Sequence, residues 1–358
     1  MPRGRAADAV PLRLCRGAVL RAVAYSEAGR SDVLRVVDRP VPEPGAGEVR
    51  VAVAVSGVNP TDWKARLGGR GGRLPFPEIV PNHDGAGTID AVGTGVDSSR
   101  VGERVWLWEA AWQRANGTAQ ECVILPEQQA VALRDGVSFD VGASLGIPAL
   151  TAHRCLTVSD SGPRRLAPGA LAGQTVLVAG GAGAVGHAAI QLARWAGARV
   201  ITTVSSDEKA ALAQAAGADH IVNYRNSGAA DEIRGVSHDG VDVIVEVAPV
   251  PNAALDRAVL ARNGTVAVYA TDGGDELELS IWELMRRNVR YQFVLVYTFS
   301  AEAKATAVRD VAVAAGEGAL PVGEDAGLPL HRFPLERTAD AHDAVEGGAV
   351  GKVLIDVG

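Results

Sequence analysis

"VLVAGGAGAVGHAAIQLA", residues 176–193, decides the fold. A short apolar run at 175–179 breaks into glycines and reopens with helical spacing. An apolar run bounded by turn residues reads as a buried strand. The glycines fall as Gly181-x-Gly183-x-x-Gly186. That spacing is weak by itself, because 42 of the 358 residues are glycine. Its place between a strand and a helix makes it specific. One glycine permits the tight turn, one lets the backbone approach a pyrophosphate, and one lets helix and strand pack closely. From Ala184 and Val185 onward the helix offers free N–H groups and a positive dipole end to phosphate.

Downstream the same rhythm repeats. Strands are expected at "RVITTV" (199–204), "HIVNY" (220–224), "VDVIVEVA" (241–248), "TVAVYAT" (265–271) and "VRYQFVLVY" (289–297). Helices are expected between them at "SDEKAALAQAAG" (206–217), "NAALDRAVLARNG" (252–264) and "SIWELMRRN" (280–288). Apolar strands alternating with amphipathic helices imply a parallel sheet covered on both faces. Residues 144–297 are therefore read as a doubly wound α/β dinucleotide-binding domain. Residues 20–143 are different. "EVRVAVAVSGV", "GAGTIDAVG", "ERVWLW" and "AQECVILP" are short strand-like runs set off by glycine and proline, which suggests a compact barrel-like β domain. Residues 298–358 add two helices and the strand "GKVLIDV". Residues 1–19 carry arginines but no uninterrupted apolar core. They are expected to be a disordered leader, or sequence upstream of the true start, rather than a signal peptide.

The net charge is −7, with no dense basic block beyond the first 21 residues. That argues against nucleic acid or an anionic membrane as the main partner. No apolar run reaches the roughly 18–20 residues that span a bilayer. Cys15, Cys122 and Cys155 are scattered and form neither a disulfide framework nor a C-x-x-C zinc pattern. A reduced, cytoplasmic setting is expected.

The strand at 199–204 ends in Ser205-Ser206, where NAD binders usually place an acid for the ribose 2′-OH. Asp207 follows, but Ser206 or Asp207 also fits a helix cap. Lys209 falls in the first helical turn, a poor place for a cation unless a phosphate lies nearby. Tyr224, beyond the third strand, is placed to pack by an adenine. These residues favour NADPH over NADH; the alternative is a solvated Lys209 with Asp207 on the ribose.

Several stretches together resemble the medium-chain dehydrogenase/reductase superfamily, most closely its zinc-free quinone oxidoreductase branch, which includes zeta-crystallin. They are "SGVNPTDWKARLG", "GASLGIPALTAHRCL", the glycine loop, "GADHIVNYR" and "GAVGKVLIDV", covering about Leu20 to Val357. The resemblance implies a GroES-like β-barrel catalytic domain, residues 20–143 and 298–358, around an inserted Rossmann domain, with the cofactor between them. It implies that Ser205, Lys209 and Tyr224 surround the 2′-phosphate. It places Asn59, Asp62 and Thr151 at the nicotinamide end and Lys352 near the pyrophosphate. Tyr269 is assigned to the cofactor side as well.

Zinc members of this superfamily hold the metal with two cysteines and a Gly-His-Glu histidine. His83 in "PNHDGAG" corresponds to that histidine, but Asn59 stands where the first cysteine belongs and "GIPALTAHR" has no second. A catalytic zinc needs three protein ligands, so no metal is expected. His83 is read as a polar wall residue, held in a glycine turn and hydrogen-bonded locally.

Without a Lewis acid, the acceptors that remain are quinones or C=C bonds conjugated to a carbonyl. Asn59 is a candidate to hydrogen-bond the acceptor or the ribose, unless Asn59-Pro60 is simply a turn. Asp62 is a candidate to orient Asn59 or Lys64. Trp106, Trp108 and Trp112 either wall the acceptor site or pack the barrel. An enoyl acceptor needs a proton, for which Tyr269, Lys64, His83 or water are candidates. The leading expectation is an NADPH:quinone reductase. The alternatives are an NADPH-dependent enoyl or alkenal reductase and a non-catalytic NADPH- or RNA-binding protein, the last disfavoured by the acidic charge. The apolar strand at 289–297 ends the sheet and needs cover, so a homodimer through it is expected.

Overall fold

A computed structural model describes residue 15 and residues 17–358. The expected leader therefore lies almost wholly outside the described residues. Strands β1 (Val19–Ala24) and β2 (Arg35–Pro40) pair as an antiparallel ribbon. The long strand β3 (Glu48–Val58) leads through helix α1 (Pro60–Arg66) to β4 (Asp84–Val92). Then come β5 (Arg104–Leu107), β6 (Cys122–Pro126) and β7 (Ala130–Ala132). Helix α2 (Phe139–Leu156), capped by Ser138, carries the chain to a second sheet.

There, strands β8 (Thr175–Ala179), β9 (Arg199–Val204), β10 (His220–Asn223), β11 (Val241–Glu246), β12 (Leu260–Val268) and β13 (Arg290–Phe293) are joined by helices. These are α3 (Ala184–Trp195), α4 (Asp207–Ala216), α5 (Ala229–Val236), α6 (Pro249–Val259) and α7 (Ile281–Arg287). All neighbouring pairs are parallel, in the order β10-β9-β8-β11-β12-β13. This is the doubly wound order, whose direction of winding reverses between β8 and β11 and leaves a crevice at the carboxyl ends of those strands. After α8 (Ala301–Gly316), strand β14 (Leu330–Pro334), helix α9 (Thr338–Glu346) and strand β15 (Lys352–Asp356) return the chain to the first sheet. Its order is β14-β15-β3-β4-β5-β7, with β6 pairing β3. The largest apolar core joins α2, α3 and α8 to the parallel sheet.

Three expectations change. The helix at 252–264 stops at Val259, and Leu260 already pairs with Val241 as β12; Asn263, at φ 59, kinks the strand. The strand at 289–297 ends at Phe293, because Val294 and Val296 turn into the core. Cys15 and Cys122 are not free thiols: they are joined in a disulfide that ties the start of the described chain to β6, leaving Cys155 buried and free.

Candidate active site

The glycine loop closes the crevice between β8 and α3. The tight turn falls one residue earlier than expected, at Gly180, whose φ of 70 is left-handed. Gly181 instead packs on the next strand, where a Cβ would meet the Thr202 hydroxyl at 2.1 Å. At Gly186 a Cβ would lie 2.4 Å from the Gly180 carbonyl, so this glycine brings helix and strand together as expected. Gly183 is the N-cap of α3, where a Cβ would meet only the Gly180 carbonyl, at an ordinary 3.5 Å, and no acid occupies the first turn. Gly183, Ala184 and Val185 line a cleft of about 520 Å³. Free N–H groups and a positive dipole end thus border a cavity of nucleotide size.

One end of that cleft is polar. Ser206 caps α4 by accepting from the Lys209 N–H at 3.3 Å. That turn brings the Lys209 ammonium back to the Ser205 hydroxyl at 3.2 Å. Ser205, Lys209 and the half-exposed Tyr224 line the cleft, whereas Asp207 is exposed and does not. This arrangement suits a phosphate better than a ribose diol.

At the other end Asn59, Pro60, Lys64, Ile147, Pro148 and Tyr269 line the cleft. Thr151, one turn along α2 from Ile147, is buried and does not line the cleft. Tyr269 is partly buried on the cleft wall, and burial raises its phenol well above the usual range. Lys64 is exposed and lies over the Trp63 ring at 5.5 Å, away from Asp62.

Asn59 is fixed from three sides. Its backbone N–H donates to Asp62 Oδ2 at 2.7 Å, half of a capping box for α1. Its Nδ2 donates to Asp84 Oδ2 at 2.8 Å, and its Oδ1 accepts from Lys352 Nζ at 2.7 Å. Asp62 therefore orients Asn59 and not Lys64. Lys352 also donates to the Val58 carbonyl at 3.1 Å and is 1% exposed. Its expected place by the pyrophosphate is corrected: the ammonium is spent beneath Asn59. Burial lowers the Lys352 pKa, with Asp84 and Asp62 opposing. Burial raises Asp84 against Lys352 and Asn59, and raises Asp62 to about 8 against the Asn59 N–H. Asp84 also receives the Ile147 N–H at 2.9 Å, so one carboxylate ties β4, α1 and α2 together.

His83 is buried immediately before β4, after Asn82 in a left-handed turn (φ 76) and not within a glycine turn. Its Nε2 is 3.9 Å from Asp62 Oδ1, and its Nδ1 has no partner, so the expected local hydrogen bond is absent from the ring. Burial, and then Arg114, lowers its pKa to about 3. Its ring leans on Tyr297 at 5.0 Å, which stacks on Trp112 at 4.4 Å. Trp106 and Trp108 are corrected as wall residues: both are buried in the core beside α2, and Trp108 Nε1 donates to the Gln128 carbonyl at 3.3 Å. Zinc does not fit here. The Asn59 amide is committed to Lys352 and Asp84, and no group of three or more His, Cys, Asp or Glu among the described residues is arranged to hold a metal.

Sequence reading missed Asp84 and Tyr297. Asp84 directly follows His83 in "PNHDGAG". The signal for its clamping role was an acid beginning a strand of small apolar residues, where a carboxylate needs buried donors.

Family models match two parts of the chain: the alcohol dehydrogenase GroES-like domain over residues 45–137 and the zinc-binding dehydrogenase over residues 184–312. The quinone oxidoreductase of Lama guanicoe is 30% identical, over 94% of this chain and 97% of its own. A solved NAD-dependent alcohol dehydrogenase is 29% identical with a TM-score of 0.82, covering 94% of this chain and 100% of that one. A mycobacterial protein solved in complex with NADPH is 30% identical with a TM-score of 0.76, covering 94% and 99%. With the GroES-like and parallel-sheet halves facing one cleft and the likeness running through nearly the whole length, the chain belongs to the medium-chain dehydrogenase/reductase superfamily, in its quinone oxidoreductase branch.

Proposed function

We propose that the chain is a zinc-independent, NADPH-dependent oxidoreductase that passes hydride to a quinone. The observation that carries the cofactor choice is the Lys209–Ser205 pair at one end of the cleft, with Asp207 turned to solvent. NADPH, when bound, supplies the hydride. Gly183, Ala184 and Val185 would hold its pyrophosphate, and Ser205, Lys209 and Tyr224 its 2′-phosphate. Asn59, held by Asp62, Asp84 and Lys352, orients the reacting end and keeps it near Ile147 and Pro148. That rigid frame supports hydride transfer by positioning and by excluding water.

The residues leave no ligand set for a Lewis acid, which favours an acceptor that takes hydride without one. Quinones meet that condition, and the relatives carry that name. Enoyl reduction requires a proton as well, and Lys64 and Tyr269, which line the Asn59 end of the cleft, are candidates to supply one.

The test follows NADPH consumption with 1,4-benzoquinone or 9,10-phenanthrenequinone against crotonyl thioesters and 2-alkenals. Saturable turnover of the quinones is expected. Faster turnover of the enoyl compounds would overturn the quinone assignment, equal rates with NADH would overturn the cofactor, and loss of activity with chelators would restore a metal.

The proposed catalytic portion is 20–143 with 298–358 and the proposed cofactor portion 144–297, so α2 crosses the boundary. The proposed assembly is a homodimer over the β13 edge. The proposed setting is the cytoplasm; no described helix is long and apolar enough to cross a membrane. In that compartment the Cys15–Cys122 pair would be mostly reduced.

A further inference from the structure

At the far end of α2 from the cofactor cleft lies a second cavity of about 520 Å³. Five arginines line it: Arg154 from α2, Arg164 and Arg165 from the loop that follows, Arg290 from β13 and Arg309 from α8. Two have acidic partners, since Arg165 pairs with Asp310 and Arg290 with Asp160. Among the described residues Arg154, Arg164 and Arg309 have no carboxylate partner. Burial and the nearby Arg164 both lower the Arg154 pKa, so these guanidinium groups repel one another in a partly desolvated space. Glu302 is the one unpaired acid on the wall. This excess of positive charge sits in a chain whose net charge is −7.

Two further observations point the same way. Ser300, which caps the 16-residue helix α8, and Ala303 both line the cavity, so the positive end of that helix opens onto it. His153, 2% exposed, also lies on the wall. Its Nε2 is tied to Asp310 at 2.9 Å, while its Nδ1 has no partner and would donate to an anion once the ring is protonated.

We propose that this cavity binds a small, multiply charged oxyanion of the polyphosphate or phosphate-ester class. Guanidinium forks and a helix N-terminus match the oxygens of a phosphate chain, and the volume exceeds that of a single phosphate. The site is separate from the cofactor cleft and does not depend on the acceptor proposed above.

The full chain, saturated with NADPH to occupy the first site, is titrated calorimetrically with pyrophosphate and, separately, with citrate. Pyrophosphate should bind saturably at one site per chain, more tightly than citrate, and more weakly as salt is raised. Arg164→Gln and Arg309→Gln change exposed side chains, and each should weaken binding about tenfold. Glu302→Gln should tighten it several-fold by removing a repelling carboxylate. Absence of saturable binding, or binding indifferent to all three substitutions, would overturn the site. Tighter binding of citrate would overturn the phosphate assignment.

Discussion

Lys352 Nζ donates to Asn59 Oδ1 at 2.7 Å, and both side chains are buried. The lysine lies 3.7 Å from Asp84, which holds the other end of the same amide. The active-site asparagine is thus clamped between a buried cation and a buried anion. Its rotamer is fixed before any ligand arrives, a condition for a site that works by positioning.

Lys352→Met should therefore damage more than catalysis. Removing the cation leaves Asn59 Oδ1 without its donor and Asp84 without its counter-ion inside the protein, and breaking a buried pair costs about 3–5 kcal/mol. Urea unfolding should show a loss of unfolding free energy of that size, read as a lower midpoint at unchanged m. An unchanged midpoint would mean that the lysine contributes no net stability and that the clamp is incidental.

Lys209→Ala tests the opposite end of the cleft. The lysine ammonium sits beside Ser205 at 3.2 Å with Asp207 facing solvent. A charge-assisted bond to the 2′-phosphate is worth roughly 1.5–3 kcal/mol. KM for NADPH should rise about tenfold or more, with kcat little changed and NADH kinetics unaffected. Equal effects on the two cofactors would remove the 2′-phosphate from the argument.

Much of this was legible in the sequence because it rests on local pattern. The glycine loop between an apolar strand and a helix fixed the parallel sheet, and Ser205, Lys209 and Tyr224 could be placed from strand ends. What was not legible depends on contacts distant in sequence. Lys352 and Asn59 are 293 residues apart, and Asp84 reaches Ile147 across 63. Trp106 and Trp108 could equally line a wall or fill a core, since alternation along a strand says which side they share and not what lies there. Gly180 took the turn in place of Gly181 because the turn began one residue sooner than the spacing suggested.

Buried titratable groups make stability depend on pH in two opposing ways. His83, His187 and His342 are held to about 3, 4 and 3 by burial. The unfolded chain binds their protons near pH 6.5, and the folded chain does not. Their contribution is full above about pH 6.5 and is lost as pH falls toward those folded values. His342→Gln, which keeps a donor for Asn82 Oδ1, should recover about 2 kcal/mol at pH 5 relative to pH 7. Asp62, raised to about 8 by burial, acts the other way. Its contribution is full below its unfolded value near 4 and is lost as pH rises through 8. Asp62→Asn should flatten the curve between those values. A wild-type unfolding free energy that both substitutions leave with the same pH profile would contradict these assignments.

The β13 edge supplies the last prediction. In the sheet order β13 has a neighbour on one side only, so its other backbone edge is unpaired among the described strands. Phe293 is 66% exposed on that strand, and Trp282 is 71% exposed on the adjoining α7, with Ile281 and Met285 also exposed. Exposed large apolar side chains beside an open strand edge are unfavourable in water unless something covers them. A second copy, meeting β13 with β13 about a two-fold axis, would extend the sheet and bury both patches at once. At micromolar concentration the protein should elute near twice its 37.0 kDa chain mass. Trp282→Glu combined with Phe293→Lys should shift it to the monomer while leaving NADPH binding intact, because neither residue lines the cofactor cleft. Wild-type elution at the monomer mass would end the dimer proposal, and a dimer unaffected by both substitutions would move the interface to another face.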